Sequence, residues 1–261
     1  MIKRLVVNDS KILDYISTNY SECLYLYIDY VKYGISNENV KIWVQTSNDH
    51  NIICVILKYY TGMHIYSKLK NLYYEEIVNI IREEKPSIIC AHHQIIKNLE
   101  NRLTNYDSEY GSVRELASID EKYNYNVINK CKDEDFKQIT ELLLKDEMGR
   151  SYSYKSLYNQ LKERNDSNFS RNYVIKDGNN IVSHAATGAE IDNAAILTYV
   201  ITAPKSRGNG YATKVVGKLC YDLINEGKKI YLINYTDEST ALYTKLGFKQ
   251  VATIGKLVLK K

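Results

Sequence analysis

The stretch Val200-Ile201-Thr202-Ala203-Pro204-Lys205-Ser206-Arg207-Gly208-Asn209-Gly210-Tyr211-Ala212-Thr213 reads as a strand that feeds through a tight turn into a helix. Upstream, residues 194–202 form a nearly continuous apolar and β-favouring run, long enough for a buried strand, and Pro204 stops its ladder. Downstream, Val215, Val216, Leu219 and Leu223 recur at helical spacing until Gly227 ends the pattern. Gly208 and Gly210 permit backbone conformations and a close approach that a side chain forbids. The unpaired N–H groups of the first helical turn then converge on one spot, where the helix dipole favours negative charge. A pyrophosphate fits such a site, although a strand-to-helix turn also uses glycine for geometry alone. The turn lacks the G-K-[ST] of a Walker loop, and the third glycine and later ribose-binding acid of a dinucleotide fingerprint are not seen.

Outward from this turn, strands and helices succeed one another. Residues 125–128 read as a short strand and residues 133–145 as a helix with acidic residues in its first turn. A second helix follows at 153–163. Residues 173–176 and 181–186 flank Asp177-Gly178-Asn179 and read as a hairpin. Beyond the long helix, 230–233 is another buried strand, 239–245 a short helix ended by Gly247, and 248–251 and 256–259 the last strands. The order β-α-α-β-β-β-α-β-α-β-β makes this half an α/β (α+β) domain.

Arg207-Gly208-Asn209-Gly210-Tyr211-Ala212 resembles the R/Q-x-x-G-x-G/A signature of the GNAT (GCN5-related) N-acetyltransferase superfamily, with Val200, Thr202 and Pro204 matching the strand end before it. Further on, Asn234-Tyr235-Thr236-Asp237-Glu238-Ser239-Thr240-Ala241-Leu242-Tyr243-Thr244-Lys245-Leu246-Gly247-Phe248 resembles the N-x-x-A-x-x-x-Y-x-x-x-G-F signature. The match is close from Ala241 to Phe248, and the spacing from Asn234 to Ala241 is longer than the common pattern. The resemblance covers roughly residues 124–261. It implies a mixed, mostly antiparallel central sheet flanked by helices, acetyl-CoA as cofactor, and acetyl transfer to the primary amine of a small molecule or amino acid. It further implies that the backbone from Arg207 to Thr213 holds the pyrophosphate. The edge formed by Val200, Ile201 and Thr202 would then pair with the pantetheine arm, and Asn234 and Tyr243 complete the cofactor site.

In such enzymes the amine attacks the thioester carbonyl directly, so the protein supplies a base, an oxyanion donor and an acid. By resemblance Tyr243 protonates the leaving sulfur; its structural alternative is a packed core tyrosine with a satisfied hydroxyl. A backbone amide near Val200 or Ile201 is the oxyanion donor. The candidates for the base are Glu190 and His184, on or next to the strand before the cofactor strand, where burial can bring either pKa towards neutrality. Their structural alternatives are an exposed loop acid and a hydrogen-bonded strand histidine. Cys220 reads as core. Cys90-Ala91-His92-His93 is not read as a metal site, because adjacent histidines on a strand point to opposite faces and no matching pair lies nearby. Tyr152, Tyr154 and Tyr158 are either an acceptor-pocket lining or surface.

Residues 1–120 repeat a similar order: a helix-rich start (10–33), strands at 41–45, 51–59 and 62–66, a helix at 71–84, a strand at 87–91 and a helix at 93–103. The counterpart of the cofactor turn, residues 64–71, has no glycine after the strand, and the second signature is missing. The expectation is therefore two GNAT-like domains, a degenerate one at 1–120 and a catalytic one at 121–261. This architecture resembles the glycine N-acyltransferase-like branch of the superfamily. Charge agrees with the assignment: residues 1–120 hold 13 Lys/Arg against 15 Asp/Glu, and residues 121–261 hold 22 against 16. That surplus suits a polyanionic cofactor and falls short of the basic stripe of a nucleic-acid binder. Five scattered cysteines with no C-x-x-C pair argue against a disulfide framework and for a reducing cytoplasm. No signal-like segment and no run of about 18 apolar residues is present. Two rival readings stand beside the small-molecule N-acetyltransferase: a non-catalytic acyl-CoA-binding or regulatory module, and a protein or peptide acetyltransferase. The sequence leaves the oligomeric state open.

Overall fold

The computed structural model describes residues 1–68, 72–119, 128–146, 149 and 152–260. Most of the expected strand at 125–128, the expected domain boundary at 120/121 and the start of the helix at 71 lie outside the described residues. The chain divides into two compact units, Met1–Val113 with Ala252–Lys261, and Arg114–Val251.

The first unit contains β1 (Ile2–Arg4), α1 (Ser10–Ser17), α2 (Leu24–Tyr33), β2 (Val40–Thr46), β3 (Ile52–Tyr59), β4 (Gly62–Tyr66), α3 (Tyr74–Glu84), β5 (Ile88–His92) and α4 (His93–Glu100). Its strands follow the order β1-β2-β3-β4-β5, antiparallel except for the parallel pair β4 and β5. Along β3 the buried residues alternate between two cores with the period of two that a strand imposes. Cys54 and Ile56 pack with α3 and α4, while Val55 and Leu57 pack with α1 and α2.

Three strands were not foreseen as such, the first of them the three-residue β1. β6 (Tyr106–Leu116) has only Tyr106, Val113 and Leu116 buried, too sparse an apolar signal to read as a strand. The two short strands expected at 248–251 and 256–259 are one continuous strand, β12 (Lys249–Leu259), and its second half belongs to the first unit. There it pairs antiparallel with β5, from Ile254 opposite His92 to Val258 opposite Ile88. Leu257 is fully buried in the first unit's core. Gly255 permits this docking, since a Cβ at that position would lie 3.0 Å from the Ile96 side chain.

The second unit contains β7 (Asn129–Lys130), α5 (Asp135–Leu144), α6 (Tyr154–Asp166), β8 (Asn172–Asp177), β9 (Asn180–Ile191), β10 (Ala194–Thr202), α7 (Tyr211–Asn225), β11 (Lys229–Asn234) and α8 (Asp237–Lys245). The strand order is β6-β11-β10-β9-β8-β7. The pairs from β7 to β10 are antiparallel, and β10 with β11 is parallel, so the sheet is mixed and mostly antiparallel. Val215, Val216, Leu219, Cys220 and Leu223 of α7 are all completely buried against this sheet. Each such side chain contributes roughly 1.5–3 kcal/mol of apolar burial, which fixes α7, and hence the turn before it, to the end of β10. α5 and α6 form a separate core with Val174, Ile181 and Ile201.

Candidate active site

β10 pairs with β11 only from Ala194 opposite Lys229 to Leu197 opposite Leu232. Beyond Leu197 the two strands part, and the edge of β10 from Thr198 to Thr202 has no strand partner on that side among the described residues. On its other side β10 keeps its partner β9, with register shifts between Thr198 and Ile201. Tyr199 sits there at φ +51°, and the extra residue of the bulge reverses the side-chain alternation. Ala195 and Leu197 pack towards α7, yet after the bulge it is Val200 that faces the α7 core, while Ile201 enters the α5/α6 core. The strand therefore twists away from β11 at the position where the sequence placed the cofactor edge.

The turn that follows is a single 3-10 turn, Pro204–Ser206, then Arg207, Gly208 (φ +81°), Asn209 and Gly210 (φ +71°). Gly210 caps α7 without any side-chain hydrogen bond. The Lys214 N–H donates to the Gly210 carbonyl at 3.1 Å, so the N–H groups of Tyr211, Ala212 and Thr213 have no helical acceptor. Among the described residues nothing lies within 4 Å of where a Cβ would stand at Gly208 or Gly210, and the first turn of α7 holds no acidic side chain. The Asn209 amide ties the turn to the Ser206 carbonyl at 3.1 Å. Arg207 donates to the Thr202 carbonyl at 3.2 Å and pairs with Asp146 at 3.4 Å, while Lys205 and Lys214 flank the same turn. The result is an open, positively biased cradle of backbone amides at the foot of an unpaired strand edge.

Tyr243, near the end of α8, is 8% exposed and stacks edge-on with Phe248 at 5.7 Å. It belongs to the same hydrophobic core as Val200 and Tyr211. Among the described residues its hydroxyl has no hydrogen-bond partner, and burial pushes its pKa up. The hydroxyl therefore keeps its proton at neutral pH and is available as a donor.

Glu190 and His184 both lie on β9, the strand before β10, as the sequence suggested, and their side chains, like that of Asn234, are engaged by neighbours. Glu190 is paired in a fork with Arg171 (Nε to Oε1 2.8 Å, Nη2 to Oε2 2.7 Å), accepts from Thr187 Oγ1 at 2.6 Å and lies 3.8 Å from Lys228 Nζ. Its partner on β10 is Ala195, five residues before Val200 and so about 16 Å along the strand. Both distance and engagement remove it from the role of base. Asn234 accepts from Arg114 Nε at 3.1 Å and donates to Thr240 Oγ1 at 2.5 Å; it ties α8 to the end of β11. Arg114 also donates to Thr244 Oγ1 at 3.1 Å and the Phe248 carbonyl at 3.3 Å. It thus ties the C-terminal end of the helix that carries Tyr243 to the end of β11. Sequence reading passed over Arg114 because it precedes the expected domain boundary, and a lone arginine in a polar strand carries no signature.

His184 is fully buried beside Ile201 and is held at both ring nitrogens, Nδ1 to the Tyr199 carbonyl at 2.9 Å and Nε2 to the Asn172 amide at 3.0 Å. Nδ1 donates to the carbonyl, and Nε2 faces Asn172 Oδ1, whose amide nitrogen donates to Asn165 Oδ1 at 3.3 Å. His184 is therefore a clamp on the β10 bulge and not a free base. Desolvation lowers its pKa to about 4, so the ring is neutral at pH 7. With an unfolded pKa of about 6.5, the resulting stability is complete above pH 6.5 and is lost as pH falls towards 4, by about 3 kcal/mol in all. Urea unfolding followed between pH 7 and 4 is expected to fall more steeply, by up to one proton, for the unaltered protein than for His184→Gln. Equal slopes would assign the acid sensitivity to carboxylates.

The histidines 92 and 93 are not on opposite faces as expected of strand neighbours. β5 ends at His92 and α4 begins at His93, which brings the rings to 4.2 Å. Among the described residues no group of three or more His, Cys, Asp or Glu side chains is placed to hold a metal. Tyr154 and Tyr158 stack at 5.9 Å, and Tyr199 reaches Gln160 at 3.1 Å.

The sequence model of the GNAT acetyltransferase family matches residues 27–254, nine-tenths of the chain and part of both units. Among solved structures, the fold is similar to a tandem GNAT protein from the clavulanic acid biosynthesis pathway (12% identity, 98% of each chain, TM-score 0.59). It is also similar to a GCN5-related N-acetyltransferase from Sphaerobacter thermophilus (12% identity, 98% of this chain and 94% of the other, TM-score 0.63). A GNAT-family acetyltransferase from Colwellia psychrerythraea matches over the whole of both chains (12% identity, TM-score 0.57). No curated protein matches the sequence. The chain belongs to the GNAT acetyltransferase family. No described helix is long and apolar enough to cross a membrane.

Proposed function

We propose that the second unit transfers the acetyl group of acetyl-CoA to the primary amine of a small molecule or amino acid, by direct attack within a ternary complex. The observation that carries this reading is the cradle: three unsatisfied amides of α7, two glycines fronted by open space and an unpaired β10 edge, all in one strand-turn-helix segment. The backbone from Arg207 to Thr213 would hold the pyrophosphate, and Val200, Ile201 and Thr202 the pantetheine arm. Bound there, acetyl-CoA supplies the acyl group and a thiol leaving group. A backbone N–H at the β10 bulge, near Val200 or Ile201, stabilises the carbonyl oxygen as charge develops on it. Tyr243 Oη gives its proton to the departing sulfur. With Glu190 and His184 both consumed in structural pairs, the amine's proton passes to water, and the rate rises with pH up to the pKa of the acceptor amine. The first unit acts as a degenerate repeat without this cradle. The five cysteines are unpaired thiols, which suits a reducing cytoplasm.

Calorimetric titration of the intact protein with acetyl-CoA and with free coenzyme A tests the cradle. A thiol-release assay over amino acids, small amines and a peptide then tests the transfer. Saturable binding of one equivalent, with thiol release only when an amine is present, is expected. Absence of binding would reduce the turn to a structural connection, and binding without release would leave a carrier-binding module.

A further inference from the structure

The first unit has its own parallel pair, β4 and β5, with Gly62 opposite Ile88 through Ile65 opposite Ala91. At the carboxyl end of such a pair the chain leaves both strands for helices and a crevice opens, the general position of ligands in open sheets. A cleft of about 610 Å³ lies there, within the size range of small-molecule sites. Its lining includes Tyr66, Lys68, His92 and Lys97, with Glu22 as the one carboxylate among the described lining residues.

One wall is fixed by its own hydrogen bonds. Ser67 Oγ donates to the Ile53 carbonyl at 2.6 Å, and Tyr15 Oη donates to the same carbonyl at 2.8 Å while accepting from the Lys68 N–H at 2.9 Å. Lys68 Nζ is steadied by Thr18 Oγ1 at 2.8 Å and lies 4.7 Å from the Tyr15 ring centre. Tyr66 packs edge-on against Tyr15 at 5.6 Å and is only 2% exposed, yet among the described residues its hydroxyl has no hydrogen-bond partner. This hydroxyl belongs to the lining of the cleft, where a ligand acceptor would take its hydrogen bond. Burial also holds this hydroxyl protonated, so it can only be a donor to an anion.

The chemistry differs from that of the β10 cradle. α3 begins with Glu75 and Glu76 in its first turn, where a pyrophosphate would be repelled, and no glycine stands between β4 and α3. Side-chain ammonium groups replace backbone amides. We propose that this cleft is a second ligand site, for a small molecule bearing a carboxylate or phosphate, held by Lys68, Lys97 and the Tyr66 hydroxyl, and distinct from any coenzyme A site.

The test is calorimetric titration of the intact protein, with free coenzyme A present, using succinate and inorganic phosphate as the probes. Saturable binding of one of them is expected, and which one binds separates a carboxylate from a phosphate ligand. Loss of one charge-assisted contact weakens binding about tenfold, so Lys68→Met and Lys97→Met should each raise Kd by about that factor and Tyr66→Phe by roughly threefold. Lys97 is exposed, so its variant reports even where Lys68→Met disturbs the wall. No saturable heat with either probe overturns the proposal, and so does binding that both lysine variants leave unchanged. The latter result would place the anion elsewhere, the cradle of the second unit included.

Discussion

Tyr243→Phe is expected to lower kcat about 100-fold while leaving the Kd for acetyl-CoA within about twofold, the lower range of what a positioned general acid contributes. The substitution removes one oxygen and keeps the ring, its 5.7 Å contact with Phe248 and its place in the α7 core. Because the hydroxyl has no described partner, no buried group is orphaned by its loss, and stability should change by less than about 1 kcal/mol. The two effects are separable for that reason: a fall in kcat at unchanged melting temperature isolates the proton. Steady-state rates with a fixed amine, together with calorimetry on the variant, provide the check. A fully active Tyr243→Phe would make Tyr243 a core tyrosine and return the leaving thiolate's proton to water. A fall that disappears with an acylated donor of lower thiol pKa would strengthen the assignment, since the acid matters least when the leaving group needs no proton.

The cradle was legible in the sequence because its geometry is local. Gly208, Gly210 and Pro204 each restrict or free the backbone at a fixed offset from an apolar strand and an amphipathic helix, so strand, turn and helix can be read from one segment. Tyr243 was singled out by its offset from Gly247 and Phe248 in the second signature, and its burial beside Phe248 depends on the tertiary fold. What the sequence could not display was which polar side chains are already spoken for. Glu190 and His184 carry chemistry compatible with a base, and only the approach of Arg171, just before β8, and of the Tyr199 carbonyl from the bulge consumes them. The bulge itself is invisible in the run from Ala194 to Thr202, since one extra residue in an apolar strand changes no composition. Arg114 and the second half of β12 failed for a related reason. Both depend on partners more than a hundred residues away, Asn234 for the one and β5 for the other, and periodicity within a window cannot report them.

Gly210→Leu is expected to do the opposite of Tyr243→Phe, raising the Kd for acetyl-CoA at least about 100-fold, about 3 kcal/mol, with the proton donor untouched. Gly210 stands at φ +71°, where a side chain costs roughly 1–2 kcal/mol of backbone strain, and the space a Cβ would enter is open. The fold therefore tolerates the leucine at that cost, but the isobutyl group occupies the volume in front of the Tyr211, Ala212 and Thr213 amides. An anion can no longer reach those donors. Strain and occlusion are distinguished by Gly178→Leu, because Gly178 also has positive φ (+57°) and open space around it, yet lies in the β8/β9 hairpin turn. The hairpin variant should lose comparable stability and bind acetyl-CoA normally. If both variants weaken binding alike, backbone strain transmitted through the sheet governs the cofactor site. If neither does, the amides of α7 do not hold the phosphates, and the cradle has to be sought along the β10 edge alone.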